Sequence, residues 1–144
     1  LYHVPDPRRA LAEVRRVLRP DGTLCAATNG RNHIRELDAA VELVVSAGTF
    51  QSPARTFGLE NGAAALAPWF EPVALRRFEN ALVVTEVEPL VAYVASYRAE
   101  ARSAEARSAL QRLWEGELAM EGAVRVTAET GMFVARARPW AVGA

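Results

Sequence analysis

The sequence contains no lysine: all of its 17 basic residues are arginine, and 17 acidic residues balance them. The formal net charge is therefore zero, and the pI is near 7.0. A dedicated nucleic-acid-binding protein needs an excess of positive charge to contact the phosphate backbone. We therefore expect no nucleic-acid partner.

Cysteine is also scarce, since Cys25 is the only one. One thiol excludes a disulfide or a cysteine metal cluster within one chain, and the two histidines lack acidic partners at metal-ligand spacing. Cys25 lies in an apolar run, where we expect an inert thiol buried in the core. No apolar run approaches the roughly 20 residues of a membrane span, and no signal-peptide pattern is visible. These features predict a cytoplasmic protein without membrane contact.

The nine glycines never form a Gly-x-Gly pair. In dinucleotide-type folds such a pair lets the backbone approach a nucleotide cofactor closely. The sequence therefore predicts that the main cofactor-binding loop is missing, although 144 residues with 51% apolar content suffice for one domain with an ordinary core.

The first 29 residues predict a strand–helix–strand unit. Leu1–Val4 is interpreted as the end of a strand, Asp6 as an N-cap and Pro7 as the first helical residue. Pro20 ends the helix, and Thr23–Thr28 is short, apolar and unalternating, which is typical of a strand covered on both faces. A helix that returns to such a strand is half of a right-handed crossover in a parallel sheet.

The rest of the chain predicts helices followed by strands. A helical segment covers about residues 32–68, with a first helix that Asn32 can cap and Gly48 ends. Strands and helices follow over 71–138, and 139–144 is a tail. Glu129–Gly131 is interpreted as the turn of a hairpin or bulged pair.

Two motifs resemble class I S-adenosylmethionine-dependent methyltransferases. Leu1–Pro7 carries an aromatic–His pair at a strand end, and Leu18–Gly22 (Leu-Arg-Pro-Asp-Gly) is the turn into the next strand. The likeness is closest to the small-molecule, type 11 branch, whose turn reads Leu-(Arg/Lys)-Pro-Gly-Gly. Asp21 replaces the first of those glycines, and aspartate is itself a good turn residue. The likeness continues less sharply through Phe57–Gly62, Tyr93–Tyr97 and Gly131–Ala135.

The resemblance implies an α/β fold: the C-terminal part of a Rossmann-like sheet, with parallel strands, an antiparallel edge pair and helices packed on it. Residues 1–138 would form a partial methyltransferase domain whose N-terminal strands are absent. The parent enzyme would transfer a methyl group from S-adenosylmethionine to a small-molecule acceptor. We expect the fragment to be inactive and to bind the cofactor poorly, and its partner to be the missing N-terminal half or a second copy.

The resemblance also implies where the site lies. His3 would line the cofactor and substrate pocket and could act as a general base, because an imidazole titrates near neutrality; lining alone is the alternative. The plain alternatives are that Asn32 caps a helix, that His33 is an ordinary exposed histidine, and that Tyr97 belongs to the core. The candidates for cofactor binding are Leu1, Tyr2 and His3, and those for substrate lining are Asn29, Asn32, His33 and Tyr97.

A function of another class stays open. A degenerate half-domain could be a non-catalytic interaction module that dimerises through its open sheet edge, since unpaired strand edges promote association. A small α/β protein that binds an apolar ligand is a third, weaker alternative.

Overall fold

The computed structural model describes residues 1–45 and 53–138, and the chain divides into two compact units. Unit 1 comprises Leu1–His33, Gln51–Glu79 and Glu129–Ala144, and unit 2 comprises Ile34–Phe50 and Asn80–Ala128. Short 3-10 turns lie at Pro53–Arg55 and Ala99–Arg102. The helices and strands, in chain order, are α1 (Pro7–Val17), β1 (Thr23–Asn29), α2 (Arg35–Val45), α3 (Gly62–Leu66), β2 (Phe70–Val84), α4 (Val87–Tyr97), α5 (Ala104–Glu121) and β3 (Val124–Ala137).

Helix α1 begins as its sequence predicts. Asp6 is the N-cap, and its carboxylate accepts a hydrogen bond from the Arg9 backbone N–H at 3.0 Å. Pro7 occupies the first turn, where its missing N–H costs nothing. The apolar face of α1 packs into the core cluster of unit 1, whose fully buried members are Leu11, Ala26, Phe57, Leu66, Phe70, Phe133, Ala135 and Ala137.

Unit 1 contains antiparallel strand pairing. The sheet has the order β1-β3-β2, and β1 pairs antiparallel with β3 over seven residues, from Thr23 opposite Arg136 to Asn29 opposite Thr130. Strand β2 also runs antiparallel to β3, because the Arg138 N–H donates to the Trp69 carbonyl at one end of the pair. The antiparallel edge pairing expected near the C-terminus is present, whereas no described strand pairs in parallel with β1.

Leu1–Val4 forms turns and bends, so the prediction of a strand there, parallel to β1, is wrong. A strand requires a hydrogen-bonded neighbour. The backbone bond here is instead local, from the Val4 N–H to the Leu1 carbonyl at 3.1 Å. Pro5, which follows directly, has no N–H to extend a ladder.

The predicted hairpin around Glu129–Gly131 is also wrong, because β3 runs through it without a turn. Gly131 is needed for a different reason, which is a close approach inside the sheet. A Cβ at Gly131 would lie 2.9 Å from the Arg76 carbonyl oxygen and 2.8 Å from Leu59 Cδ2. A glycine in a strand often marks such an approach.

Unit 2 is built from α2, α4 and α5 with parts of β2 and β3. Ser103 caps α5 by accepting from the Ala106 N–H at 3.1 Å, and Gly122 ends the helix in the left-handed conformation at φ 74°. Serine at a helix start and glycine just past a helix end are the residues most often found there, so both ends of α5 follow from the local sequence. The largest members of the core cluster are Leu37, Val41, Leu90, Val91, Val94, Leu110, Trp114, Val124 and Val126.

None of the helices in residues 1–45 and 53–138 combines the length and the apolar character that crossing a bilayer requires. Gly48, predicted to end α2, and the predicted tail 139–144 lie outside the described residues.

Replacing Gly131 with alanine should destabilise the protein by about 2 kcal/mol, because the new methyl group overpacks against backbone that cannot move freely. The matched control is Gly116→Ala in α5, where a Cβ meets nothing within 4 Å. Alanine there should stabilise the protein by up to about 1 kcal/mol through helix propensity. Urea unfolding of the two variants measures both changes, and equal effects would contradict the close approach at Gly131.

Candidate functional site

An open groove of about 490 Å³ is bordered by residues of the sheet in unit 1. Tyr2 borders it from outside the sheet, and all three strands contribute to it. The lining residues are Tyr2, Ala27, Thr28, Asn29, Arg76, Arg77, Phe78, Thr130, Gly131 and Met132.

The register of β1 and β3 explains why side chains converge on this groove. Ala27 is paired with Met132, and Asn29 with Thr130. Paired residues share a face of the sheet, and successive residues alternate between faces. Ala26, which directly precedes Ala27 in β1, packs into the core. Ala27, Asn29, Thr130 and Met132 therefore belong to the opposite face, which we call the outward face.

Strand β2 supplies the other side of the groove by the same alternation. Val73 and Leu75 pack against the core cluster of unit 1. Arg76 and Phe78 are both exposed. Alternation places them on the outward face. Phe78 has 65% of its surface exposed, so the groove has an aromatic wall that water reaches.

Two backbone hydrogen bonds show which residue pairs across β1 and β3 have the shortest Cα–Cα distances. The Gly30 N–H donates to the Glu129 carbonyl, and the Ala137 N–H donates to the Gly22 carbonyl, each at 2.8 Å. In an antiparallel ladder, hydrogen-bonded pairs alternate with non-hydrogen-bonded pairs, whose Cα atoms are only about 4.5 Å apart. Counting from either bond makes Ala27–Met132 a non-hydrogen-bonded pair, so these two side chains lie close together.

Two of the seven sequence candidates line this groove: Tyr2 and Asn29. His3 is exposed, and its ring meets the Tyr2 ring edge-on with centroids 4.5 Å apart. Leu1 packs, together with Tyr2, against the core cluster of unit 1. The N-terminal triplet therefore lies beside the groove, with Tyr2 as the member that borders it.

Asn32, in the loop after β1, neither caps a helix nor lines the groove, which were its two predicted roles. Helix α2 begins at Arg35 after Ile34, whose φ is 56°, so Asn32 lies in the preceding turn and does not cap the helix. Its backbone N–H donates to Glu129 Oε2 at 3.0 Å. Neither Asn32 nor the half-buried His33 is among the residues that line the groove.

Cys25 is exposed, so its prediction as a buried core thiol is wrong. The residue lies on the outward face opposite Val134. Unlike a strand covered on both faces, β1 alternates, because the core cluster covers only the face that carries Leu24 and Ala26. The sequence of β1 does not show this alternation, because the exposed residue Ala27 is as apolar as its buried neighbour Ala26.

Sequence reasoning missed the other eight residues that line the groove: Ala27, Thr28, Arg76, Arg77, Phe78, Thr130, Gly131 and Met132. The alternation of Val73 and Leu75 with Ala74 and Arg76 could have marked Arg76 as outward-facing. Thr130 and Met132 were not recognised as strand residues, because Gly131 between them indicated a turn.

Tyr97, the remaining candidate, belongs to a hydrogen-bonded cluster in unit 2. Its hydroxyl donates to Asp38 Oδ1 at 3.3 Å, and Arg98, with 2% of its side chain exposed, contacts the same oxygen at 3.1 Å. Burial, followed by the nearby Asp38 charge, raises the pKa of Tyr97 above its ordinary value. Burial also raises the pKa of Asp38, although the hydrogen bond from Arg98 acts in the opposite direction. Tyr97 therefore serves as a hydrogen-bond donor to a half-buried carboxylate.

Within residues 1–45 and 53–138, no three His, Cys, Asp or Glu side chains are grouped as ligands for a metal ion. The chemistry that the described groove supports is thus that of apolar surface, guanidinium groups and amide or hydroxyl hydrogen bonds.

Tyr97→Phe should lower the free energy of unfolding by about 1 kcal/mol, the usual net value of one hydrogen bond. Because the folded-state pKa of Tyr97 is raised, this contribution is complete below the unfolded-state pKa of about 10 and is lost as the pH rises above it. Urea unfolding at neutral pH and above pH ~10 measures both effects. The control is Tyr93→Phe on the same helix, at a residue that is 50% exposed. Equal losses for the two variants would show that the Asp38 bond contributes nothing.

Comparison with known proteins identifies the N-terminal segment. The family described as Methyltransferase domain matches residues 1–26, which run from the Tyr2 wall of the groove through α1 into β1. No curated protein matches the chain. The match confirms the resemblance stated from the two sequence motifs, and it is consistent with a fragment of a class I S-adenosylmethionine-dependent methyltransferase.

Proposed function

We propose that the chain is the C-terminal portion of an S-adenosylmethionine-dependent methyltransferase, and that the groove in unit 1 binds its small-molecule methyl acceptor. One observation carries this proposal. The family match ends at Ala26, and the next three residues, 27–29, line the groove together with Tyr2 from the start of the match. The matched segment and the groove therefore share one local structure.

The composition of the groove suits methyl transfer. The reaction is an in-line displacement at a sulfonium methyl group, and it gains most from holding the acceptor in the correct orientation. Ala27, Met132 and Phe78 supply apolar contacts, while Asn29 and Thr130 supply hydrogen bonds at one end. His3 is the proposed general base, since its ring contacts that of Tyr2, which lines the groove, and an imidazole nitrogen can accept a proton.

The described residues do not fit the cofactor itself. S-adenosylmethionine carries a sulfonium cation, an ammonium group, ribose hydroxyls and one carboxylate. The two guanidinium groups of the groove suit only that carboxylate, and no lining carboxylate is present to bind the cations or the ribose. The neighbouring carboxylate of Glu129 already accepts from the Asn32 N–H and pairs with Arg77 at 3.4 Å. We therefore propose that the cofactor-binding residues lie on a segment outside this chain. The cytoplasmic location stays a prediction from composition.

A second function is favoured by the strand order. With β3 in the centre, β1 and β2 are both edges of the three-stranded sheet. Edge strands can pair with another chain, so a non-catalytic module that dimerises through one edge is the alternative. Sedimentation distinguishes the two: a stable dimer that forms without any cofactor supports the module.

We expect calorimetry to detect no binding of S-adenosylmethionine to the 144-residue chain at cofactor concentrations up to about 1 mM. A Kd of about 1 mM corresponds to a binding free energy of only about 4 kcal/mol. The product of the same gene extended upstream of Leu1 serves as the comparison. It should bind the cofactor and transfer labelled methyl groups to small molecules of a cell extract. Tight cofactor binding by the short chain would contradict the fragment assignment, and an extended protein without transferase activity would contradict the methyl-transfer assignment.

A further inference from the structure

We propose that the groove selects an acceptor with a flat aromatic body and one carboxylate, and that Arg76 binds the carboxylate. Naming this ligand the methyl acceptor depends on the proposed function. Binding of the ligand depends only on the residues of the groove.

The charge of the groove is positive. Arg76 and Arg77 line it, and none of its lining residues is acidic. Arg77 pairs with Glu129 at 3.4 Å, and Glu129 lies on the core-facing side of β3 by its alternation with Thr130. Arg76 is therefore the guanidinium that β2 presents on the outward face. A guanidinium binds a carboxylate through two parallel hydrogen bonds, which makes an anion its natural ligand.

The floor of the groove is flat and apolar. Ala27 contributes only a methyl group, Met132 lies directly opposite it, and Gly131 adds backbone alone between Thr130 and Met132. Aromatic rings stand on two sides, from Tyr2 and Phe78. A planar ring can lie on such a floor, where the Met132 thioether and the two aromatic walls offer favourable contacts.

The width of the sheet limits the length of the ligand. Asn29 on β1 and Arg76 on β2 are separated by the central strand, so their backbones are about 10 Å apart, which is two strand spacings. Both residues line the groove, and their side chains are long enough to shorten this distance. A single ring with a carboxylate at one end and a hydroxyl at the other therefore fits between the Arg76 guanidinium and the amide of Asn29. The hydroxyl is then the group available for methylation.

The test uses two isosteric probes, para-hydroxybenzoate and its neutral amide, para-hydroxybenzamide. Titrations of the whole chain are followed by amide proton–nitrogen correlation spectra. We expect both the acid and the amide to shift residues 27–29 and 130–132. The acid should bind about tenfold more tightly, as expected for one charged hydrogen-bonded pair.

Arg76→Gln should abolish the preference for the acid and leave the affinity for the amide unchanged. The control is Arg112→Gln, at an exposed arginine on α5, which should keep the full preference. On the unsubstituted chain, added salt should weaken binding of the acid and leave the amide unaffected, because screening acts on charge. This salt series tests the inference even if Arg76→Gln does not fold.

Equal affinity for the acid and the amide, a preference that survives Arg76→Gln, or shifts that fall outside the groove would each overturn the inference. The proposed function fails differently. If the acid binds as described but the extended gene product transfers no methyl group, the groove is a carboxylate site and the methyltransferase assignment is wrong.

Discussion

The antiparallel pairing of β1 with β3 is the constraint on which the structure of unit 1 depends. It commits Ala26 and Phe133, which are opposite each other, to the core, and it commits Ala27 and Met132 to the outward face. A shift of one residue would exchange the two faces completely. Burial of apolar side chains against α1 and α3 resists such a shift, so the hydrophobic core that stabilises the unit also sets the position of the groove.

Both ends of this pairing are closed by backbone hydrogen bonds, one between Gly30 and Glu129 and one between Ala137 and Gly22. Gly30 donates to the Glu129 carbonyl, and a Cβ at Gly30 would displace the Glu129 carboxylate. That carboxylate accepts from the Asn32 N–H at 3.0 Å, while Glu60 accepts from the Arg31 N–H at 2.9 Å. Two carboxylates therefore satisfy the backbone of the loop after β1. They hold Asn29 at the end of the groove, where its backbone carbonyl also accepts from Leu59 at 3.1 Å.

Local features of the fold could be predicted from the sequence, and partners distant along the chain could not. Asp6 and Pro7 start α1, and Ser103 and Gly122 bound α5, because capping depends on residues a few positions apart. The partner of β1 lies more than one hundred residues away in the chain, and no local pattern distinguishes an antiparallel from a parallel neighbour. Gly131 illustrates the same difficulty. A glycine in the sequence does not reveal whether it is required by a turn or by the close approach of a neighbouring strand.

The candidate site was predictable to the same extent. Tyr2 and Asn29 were found because the methyltransferase resemblance covers the ends of their segments. Arg76, Phe78 and Met132 join them only through the strand order and the register, which the sequence does not reveal. Asn32 had two predicted roles, as a cap and as a lining residue, and the structure uses its backbone for a third one, which is to bind Glu129.

The pairing itself is tested most directly by nuclear Overhauser contacts between α protons across β1 and β3. The account predicts strong contacts between the α protons of Ala27 and Met132 and of Cys25 and Val134, the non-hydrogen-bonded pairs, and weak ones at Ala26 and Phe133. Contacts from β1 to the backbone of Leu1–Val4 in a parallel pattern, with none to β3, would contradict the register and with it the groove.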